Sequence, residues 1–276
     1  MTNIAYYNGK IDAIEKIQIP MLDRAVYFGD GVYDVAYIKD GKLFAGDEHI
    51  ARFMNSCRLL EMEPPMNAEE LERTIYELIG YIDDKSSCIV YWQASRGTAD
   101  RDHSYPAGVK SNLLAYIKPK KLPDLSKRIK LISAPDIRYE ICNVKTINLI
   151  PNVMANEKAK RAGCDETVLI RNGIVTECSH SNVSFLRGGV FVTAPLDEHI
   201  LPGIARGHVI ELCGKLGIEV QERHYGYDEL AAADEILVTS TTTICRAACE
   251  LDGRSAGGRD EKTVKAIQNA YLEKIG

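Results

Sequence analysis

Lys145 lies in the stretch Ile141-Cys142-Asn143-Val144-Lys145-Thr146-Ile147-Asn148-Leu149, and no acidic residue between Ile141 and Met154 is available to pair with its amine. Desolvation in such a setting favours the neutral amine, a nucleophile toward carbonyls, whereas an ordinary surface lysine keeps its charge in water. Glu177, in Val175-Thr176-Glu177-Cys178-Ser179-His180-Ser181-Asn182, also stands among uncharged neighbours. If it is buried there it needs a cationic partner from elsewhere in the chain. For both residues a surface position is the competing reading.

Two features suit an anion. Leu201-Pro202-Gly203-Ile204-Ala205-Arg206 opens a helix on Gly203 and leaves the backbone N–H groups of Ile204 and Ala205 unpaired and partly positive. Ser240-Thr241-Thr242-Thr243 gathers hydroxyls directly after the apolar run Ile236 to Val238. An ordinary helix start and an ordinary turn are the alternatives. Arg101 and His103, two residues apart in an extended segment, point the same way and could jointly grip a carboxylate. A solvated polar loop is the rival view.

Other chemistries lack their residues. There is no GxxxxGK[ST] loop, no GxGxxG turn and no GxSxG elbow. Asp100, Asp102 and His103 sit beside Arg96 and Arg101, a local field that opposes a metal cation, so no metal site is expected. The eight cysteines show no CxxC pair or zinc-ligand spacing and read as reduced thiols, with the nearest pair, Cys245 and Cys249, read as buried small apolar side chains.

The elements that position these residues follow from pattern. Ile4 to Tyr7 and Lys10 to Ile14 flank Asn8-Gly9, a hairpin signal. Val32 to Ile38 reads as a strand that turns at Asp40-Gly41 and returns through Lys42 to Phe44. Asp47 then caps a helix with Ile50, Phe53, Met54 and Cys57 on one face. A second helix follows Asn67 with the stripe Leu71, Ile75, Leu78, Ile79 and Ile82, and strand-like runs at Cys88 to Ala94 and Asn112 to Ile117 come next.

Lys118 to Asp124 is charged, carries two prolines and has no periodicity, so it reads as a linker between a small N-terminal domain, 1–117, and a larger domain, 125–276. In the second domain strands are expected at Ile129 to Ser133, Thr167 to Ile170 and Val183 to Leu186, with hairpin turns at Asn172-Gly173 and Gly188-Gly189. One helix follows Gly203 and another holds Val264, Ile267, Tyr271 and Ile275. Hairpins mixed with helices give an α+β class rather than a doubly wound sheet.

A chain of 276 residues with 45% hydrophobic and 26% charged residues folds into cores of ordinary size. Its formal net charge of -5 disfavours a nucleic-acid partner and points to a small molecule. No apolar run approaches the length of a membrane span, and Met1 to Lys10 has no basic-then-apolar export pattern, so a cytoplasmic location is expected.

Taken in order, the pieces carry a resemblance. Asp23-Arg24, Phe28-Gly29-Asp30-Gly31-Val32-Tyr33, Glu48-His49-Ile50 with Arg52, Arg96-Gly97-Thr98 with Arg101 and His103, Lys145-Thr146-Ile147-Asn148, Glu177 with Ser181-Asn182, Gly203-Ile204-Ala205-Arg206 and Ser240-Thr241-Thr242 span nearly the whole chain. In this the sequence resembles the two-domain fold-type IV pyridoxal-phosphate enzymes, the class IV aminotransferases, and within them the D-amino-acid aminotransferase group. The resemblance implies that Lys145 carries pyridoxal 5'-phosphate as a Schiff base and moves protons as general acid and base. It implies that Glu177 bonds the pyridine nitrogen, and that Arg52, the N–H groups of Ile204 and Ala205, and Thr241 with Thr242 hold the phosphate, with Ser181, Asn182, Gly203 and Ser240 also at the cofactor.

By the same resemblance Tyr33, Arg101 and His103 bind the substrate α-carboxylate, the last two reaching in from the neighbouring subunit of a homodimer whose site lies at the interface. D-amino acids would then exchange their amino group with 2-oxoglutarate or another 2-oxo acid by ping-pong kinetics. Rivals within the fold are a branched-chain L-amino-acid or (R)-amine transaminase and an aminodeoxychorismate lyase; outside catalysis, a cofactor-binding relic. This chain departs from the family pattern in four places. Asp34 replaces Glu and shortens the polar support of Tyr33, Cys178 and His180 replace small residues, and Ala205 replaces Thr and deletes a hydroxyl donor to phosphate.

Overall fold

The structure is a computed structural model that describes residues 3–276; Met1 and Thr2, the first residues of the segment read for an export signal, lie outside the described residues. The chain divides into two compact units, one of residues up to Lys121 together with Val144–Asn148, the other of Leu122–Asn143 and Leu149–Gly276. The second unit is therefore not the continuous 125–276 expected from the sequence. Five residues around Lys145 belong to the first unit, because Val32 and Thr146 form an antiparallel bridge and Ile147 N donates to Gly31 O at 3.0 Å.

The first unit holds β1 (Ile4–Tyr7), β2 (Lys10–Asp12), α1 (Arg24–Phe28), β3 (Gly31–Lys39), β4 (Lys42–Leu43), α2 (Gly46–Leu59), α3 (Ala68–Gly80), β5 (Ser87–Ser95) and β6 (Asn112–Pro119). Its six strands are ordered β2-β1-β6-β5-β3-β4, all pairs antiparallel. The β1–β2 hairpin turns on Asn8 and Gly9 at φ 45° and 92°, the positive values that Asn-Gly tolerates. Asn67 starts α3 with a full capping box, its side chain accepting from Glu70 N while Glu70 returns to Asn67 N. The expected cap at Asp47 is corrected: the cap lies two residues earlier, at Ala45 with φ 52°, and Asp47 sits in the first turn. The stripes of α2 and α3 (Phe53, Leu71, Ile75, Leu78) bury against Val32, Val90, Trp92 and Leu113 in one core.

The second unit holds β7 (Ile129–Pro135), α4 (Ile150–Arg161), β8 (Glu166–Arg171), β9 (Ile174–Cys178), β10 (Asn182–Arg187), β11 (Val190–Thr193), α5 (Ile204–Lys215), β12 (Glu219–Glu222), α6 (Tyr227–Ala231), β13 (Glu235–Ser240), β14 (Ile244–Leu251), β15 (Arg254–Ser255) and α7 (Glu261–Ile275). Eight strands run β12-β11-β10-β13-β14-β7-β8-β9 with β15 attached to β14. Tyr225, just after β12, accepts from Val175 N of β9 at 2.9 Å, which brings the two ends of this path together. Phe185, Val183, Ile236 and Val238 fill its core. All eight cysteines are free, and burial pushes the Cys142 thiol up to about 11. Among the described residues no helix is long and apolar enough to cross a membrane.

Candidate active site

In the first unit Lys145 is fixed through its backbone. Its O accepts from Tyr33 N at 2.9 Å, its N donates to Ser56 Oγ at 3.2 Å, and Thr146 Oγ1 donates to Gly31 O at 3.2 Å. The half-buried side chain places Nζ 4.3 Å from the centre of the Tyr33 ring. Among the described residues no carboxylate lies within 4.0 Å of Nζ, so nothing neutralises the amine by ion pairing. Gly31 leaves no room for a side chain, since a Cβ would meet Ala94 O at 2.2 Å. Tyr33 stacks on Tyr91, with ring centres 5.4 Å apart, on the sheet face opposite Trp92.

Asp34 faces the other way, and the expectation that it supports Tyr33 is corrected by the strand's period of two. It is fully buried and accepts from Arg52 Nε at 2.9 Å, Arg52 Nη2 at 2.7 Å and His49 Nδ1 at 2.8 Å. Burial alone would raise its carboxyl; Arg52 and His49 outweigh that and hold it well below the usual carboxylate range. Burial, with repulsion from Arg52 and Lys145, pulls His49 below its ordinary value, so His49 serves Asp34 as a neutral Nδ1–H donor. The aspartate thus aims the guanidinium of Arg52.

Asp34 binds its proton less tightly when folded than unfolded. Its contribution to stability is complete above about pH 4, the unfolded value, and is lost as pH falls through the depressed folded value. Denaturant unfolding of Asp34→Asn between about pH 5 and pH 2 should therefore lose stability less steeply than the parent. Parallel acid limbs would contradict the pairing.

Arg101 and His103 are exposed on the loop between β5 and β6, and the structure brings them together on one ring. The Arg101 guanidinium lies 5.0 Å and the His103 ring 5.2 Å from the Phe28 ring centre. Asp30 holds this region, accepting from Arg24 Nε at 2.8 Å and Arg96 Nε at 3.0 Å. Among the described residues neither Arg101 nor His103 hydrogen-bonds Tyr33.

In the second unit Glu177, 5% exposed near the end of β9, has the cationic partner its sequence setting demanded. Arg138 Nη1 forms a close ion pair with Oε1, and Oε2 accepts from Asn182 Nδ2 at 2.9 Å and Leu201 N at 3.2 Å. Arg138 is itself clamped by Asp136 through Nε at 3.0 Å and Nη2 at 2.8 Å, and donates to His199 O at 3.1 Å. Burial opposes the Arg138 charge, but Glu177 and Asp136 more than offset it; Arg138 in turn holds Asp136 well below the usual carboxylate range. Asn182 thus braces Glu177, and it also donates to Leu201 O at 3.0 Å.

Helix α5 begins at Gly203 with no side-chain cap, and a Cβ there would stand 1.9 Å from Asn182 Oδ1. Its first N–H groups, those of Ile204 and Ala205, are the orphan donors of a helix start. Antiparallel pairing sets Asn182 opposite Thr239, which leads into Ser240, Thr241 and Thr242, and Ser240 Oγ accepts from Thr243 N at 3.1 Å. Ser181 is turned elsewhere: its hydroxyl donates to Glu166 at 2.8 Å.

Sequence reasoning missed Arg138, the Asp136 that clamps it, and Glu166. Arg138 stands 39 residues from Glu177, and Glu166 stands 13 and 15 residues from Ser179 and Ser181, so no local spacing marks them. The signal that was available is the isolated Glu177, which called for a cation without saying which.

Known proteins resemble this chain in sequence and in fold. A family model described as amino-transferase class IV matches residues 31–251. A D-alanine aminotransferase of Bacillus licheniformis is 36% identical over 98% of this chain and 96% of its own length. Among solved structures, a T.th. branched-chain amino acid aminotransferase complexed with N-(5'-phosphopyridoxyl)-L-glutamate superposes with a TM-score of 0.87 at 26% identity, over 99% of this chain and 94% of that one. An aminotransferase from Brucella abortus bound to the co-factor PLP has the same fold, with a TM-score of 0.87 at 22% identity over 98% and 99% of the two chains.

Proposed function

We propose, for a chain that belongs to the class IV aminotransferase family, the transamination of D-amino acids with 2-oxoglutarate or another 2-oxo acid as acceptor. The shared seat of Arg101 and His103 on Phe28 is the observation that supports this reading most, since two cationic-capable groups two residues apart make a fork for an α-carboxylate. The name of the 36% identical Bacillus relative agrees with it. We assign the two residues to the site of a neighbouring copy in a homodimer. Their exposure fits that assignment, as does the face of α4 that leaves Ile150, Val153 and Met154 more than half exposed.

The residues fit pyridoxal phosphate as cofactor. A carboxylate suits a ring N–H, a helix start and hydroxyls suit a phosphate, and an amine without a carboxylate partner suits an aldehyde. The buried Thr239 Oγ1, which has no hydrogen-bond partner among the described residues, lies on the same sheet face as Asn182 and supplies a further unspent polar atom. When bound, the cofactor supplies a carbonyl that condenses with amines and a ring that accepts the electron pair left when the substrate Cα loses its proton.

The chain's own residues do the rest. Glu177, ion-paired with Arg138 and braced by Asn182 and Leu201 N, would accept from the protonated ring nitrogen. Lys145 Nζ would hold the cofactor and would act as the base for the proton at the substrate Cα. Arg52, aimed by Asp34, and the donors of Ile204, Ala205, Ser240, Thr241 and Thr242 hold the phosphate. Tyr33, Arg101 and His103 orient the substrate carboxylate, and the side that holds it decides which Cα hydrogen meets the amine.

Purified protein mixed with D-alanine, 2-oxoglutarate and pyridoxal phosphate should form pyruvate and D-glutamate; silence with a panel of D-amino acids would overturn the reading. Arg101→Ala should raise KM for D-alanine about 10- to 100-fold, the worth of a charged hydrogen bond, with a smaller effect on kcat. Unchanged steady-state kinetics would place the carboxylate elsewhere.

A further inference from the structure

Arg24 opens α1, and the reaction as described gives it no part although it is only 3% exposed. A buried guanidinium is kept in place by what it bonds. Its Nε donates to Asp30 Oδ2 at 2.8 Å, and its Nη1 donates to Asp102 O at 2.8 Å. Asp102 stands between Arg101 and His103. The carbonyl that Arg24 holds belongs to the rigid peptide plane joining Asp102 to His103, so one bond fixes the orientation of the link between the two fork groups.

Elsewhere this loop is tied only at its root. Arg24 N donates to Gly97 O at 3.0 Å, Ala99 N to Leu22 O at 3.1 Å, and Tyr27 Oη to Ala99 O at 2.6 Å. Among the described residues, the bond from Arg24 to Asp102 is the one hydrogen bond that joins residues 100–103 to an element outside the loop. A ring supplies the second hold. The Arg24 guanidinium lies 4.8 Å from the centre of the Phe28 ring, the same ring on which Arg101 and His103 sit at 5.0 Å and 5.2 Å. Asp30 gives this group a fixed reference: it also accepts from Arg96 Nε at 3.0 Å, and Arg96 donates to Leu60 O at 2.7 Å and Glu61 O at 2.9 Å, just past the end of α2.

Resting on the proposed carboxylate fork, we propose that Arg24, together with the Phe28 ring, is a positioning residue that sets the aim of Arg101 and His103 and thereby the affinity for substrates that carry an α-carboxylate. Lysine cannot take its place. An ammonium keeps the charge beside Asp30 but lacks the planar guanidinium that reaches Asp30 and Asp102 O in two fixed directions at once.

Steady-state kinetics of the reconstituted full chain and hydrogen exchange of the cofactor-free chain test this together. Arg24→Lys should raise KM for D-alanine about tenfold with kcat changed less than about twofold, the effect of a fork displaced rather than removed. Phe28→Leu, which leaves the Arg24 to Asp30 pair in place, should do the same, and it carries the kinetic test if Arg24→Lys does not fold. In a chain already carrying Arg101→Ala and His103→Ala, either change should alter kcat/KM by less than about twofold, because the groups being aimed are gone. Amides of residues 101–103 should exchange on the order of ten times faster in Arg24→Lys than in the parent. Parent-like KM in either variant while Arg101→Ala raises its own, unchanged exchange, or an undiminished loss in the chain without the fork overturns the proposal and leaves the carboxylate reading standing. Parent-like KM in Arg101→Ala and in the chain without the fork overturns that reading and this proposal with it.

Discussion

Lys145→Ala should abolish the visible cofactor band and lower transamination by at least about four orders of magnitude, because one atom serves as both anchor and proton carrier. The loss should be chemical rather than structural. The Lys145 segment is held by backbone and Thr146 contacts to Tyr33, Gly31 and Ser56, none of which needs the lysine side chain. Its Nζ makes a ring contact with Tyr33 and no ion pair among the described residues, so truncation leaves no buried charge unpaired. Thermal unfolding of the cofactor-free variant should match the cofactor-free parent. A variant that keeps both band and turnover would remove Lys145 from its assigned role.

Arg138→Ala should instead act on the fold. The guanidinium stands between two buried carboxylates, Glu177 and Asp136, and its removal takes the ion pair from Glu177 and leaves Asp136 only Arg171, at 3.3 Å, as a counter-charge. Breaking a buried pair in this way costs about 3–5 kcal/mol, which in a chain of this size lowers the melting temperature by on the order of 10 °C. A second consequence follows on the reaction. Glu177 would then lose the cation that pairs with it and keep the hydrogen bonds of Asn182 and Leu201 N, so cofactor affinity falls as well. Calorimetry of the cofactor-free protein separates the two effects, and a melting temperature within about 2 °C of the parent would contradict the burial argument.

What the sequence made legible was local. The Asn67 capping box and the α3 stripe need only neighbours three and four residues apart, and the Asn8-Gly9 turn needs only its own dihedrals. The anion features at Gly203 and Ser240 are legible for the same reason, being a helix start and a strand end. Less local facts were hidden. Helix α4 gave no stripe because Ile150, Val153 and Met154 are exposed and only Ala159 is buried, so no period of 3.6 separates an inner face from an outer one. The return of Val144–Asn148 to the first unit depends on pairing with β3 more than 110 residues earlier, as the Thr146 to Gly31 bond shows at a separation of 115. Arg138 and Glu166 were invisible as partners of Glu177 and of the β9–β10 connection because charge complementarity across such distances names a sign and not a residue. Asp34 was misjudged where a strand rule was available: adjacent residues of β3 face opposite ways, so Asp34 could not serve Tyr33.

The central claim, that this amine-bearing site transaminates D-amino acids, is tested most directly by half-reactions. The protein loaded with pyridoxal phosphate is mixed, without any 2-oxo acid, with D-alanine, L-leucine or (R)-phenylethylamine while the visible band is followed. D-alanine should bleach the band rapidly, and the other two should leave it nearly unchanged. Loss of the band with L-leucine while D-alanine leaves it intact would contradict the account and select the branched-chain reading of the same fold.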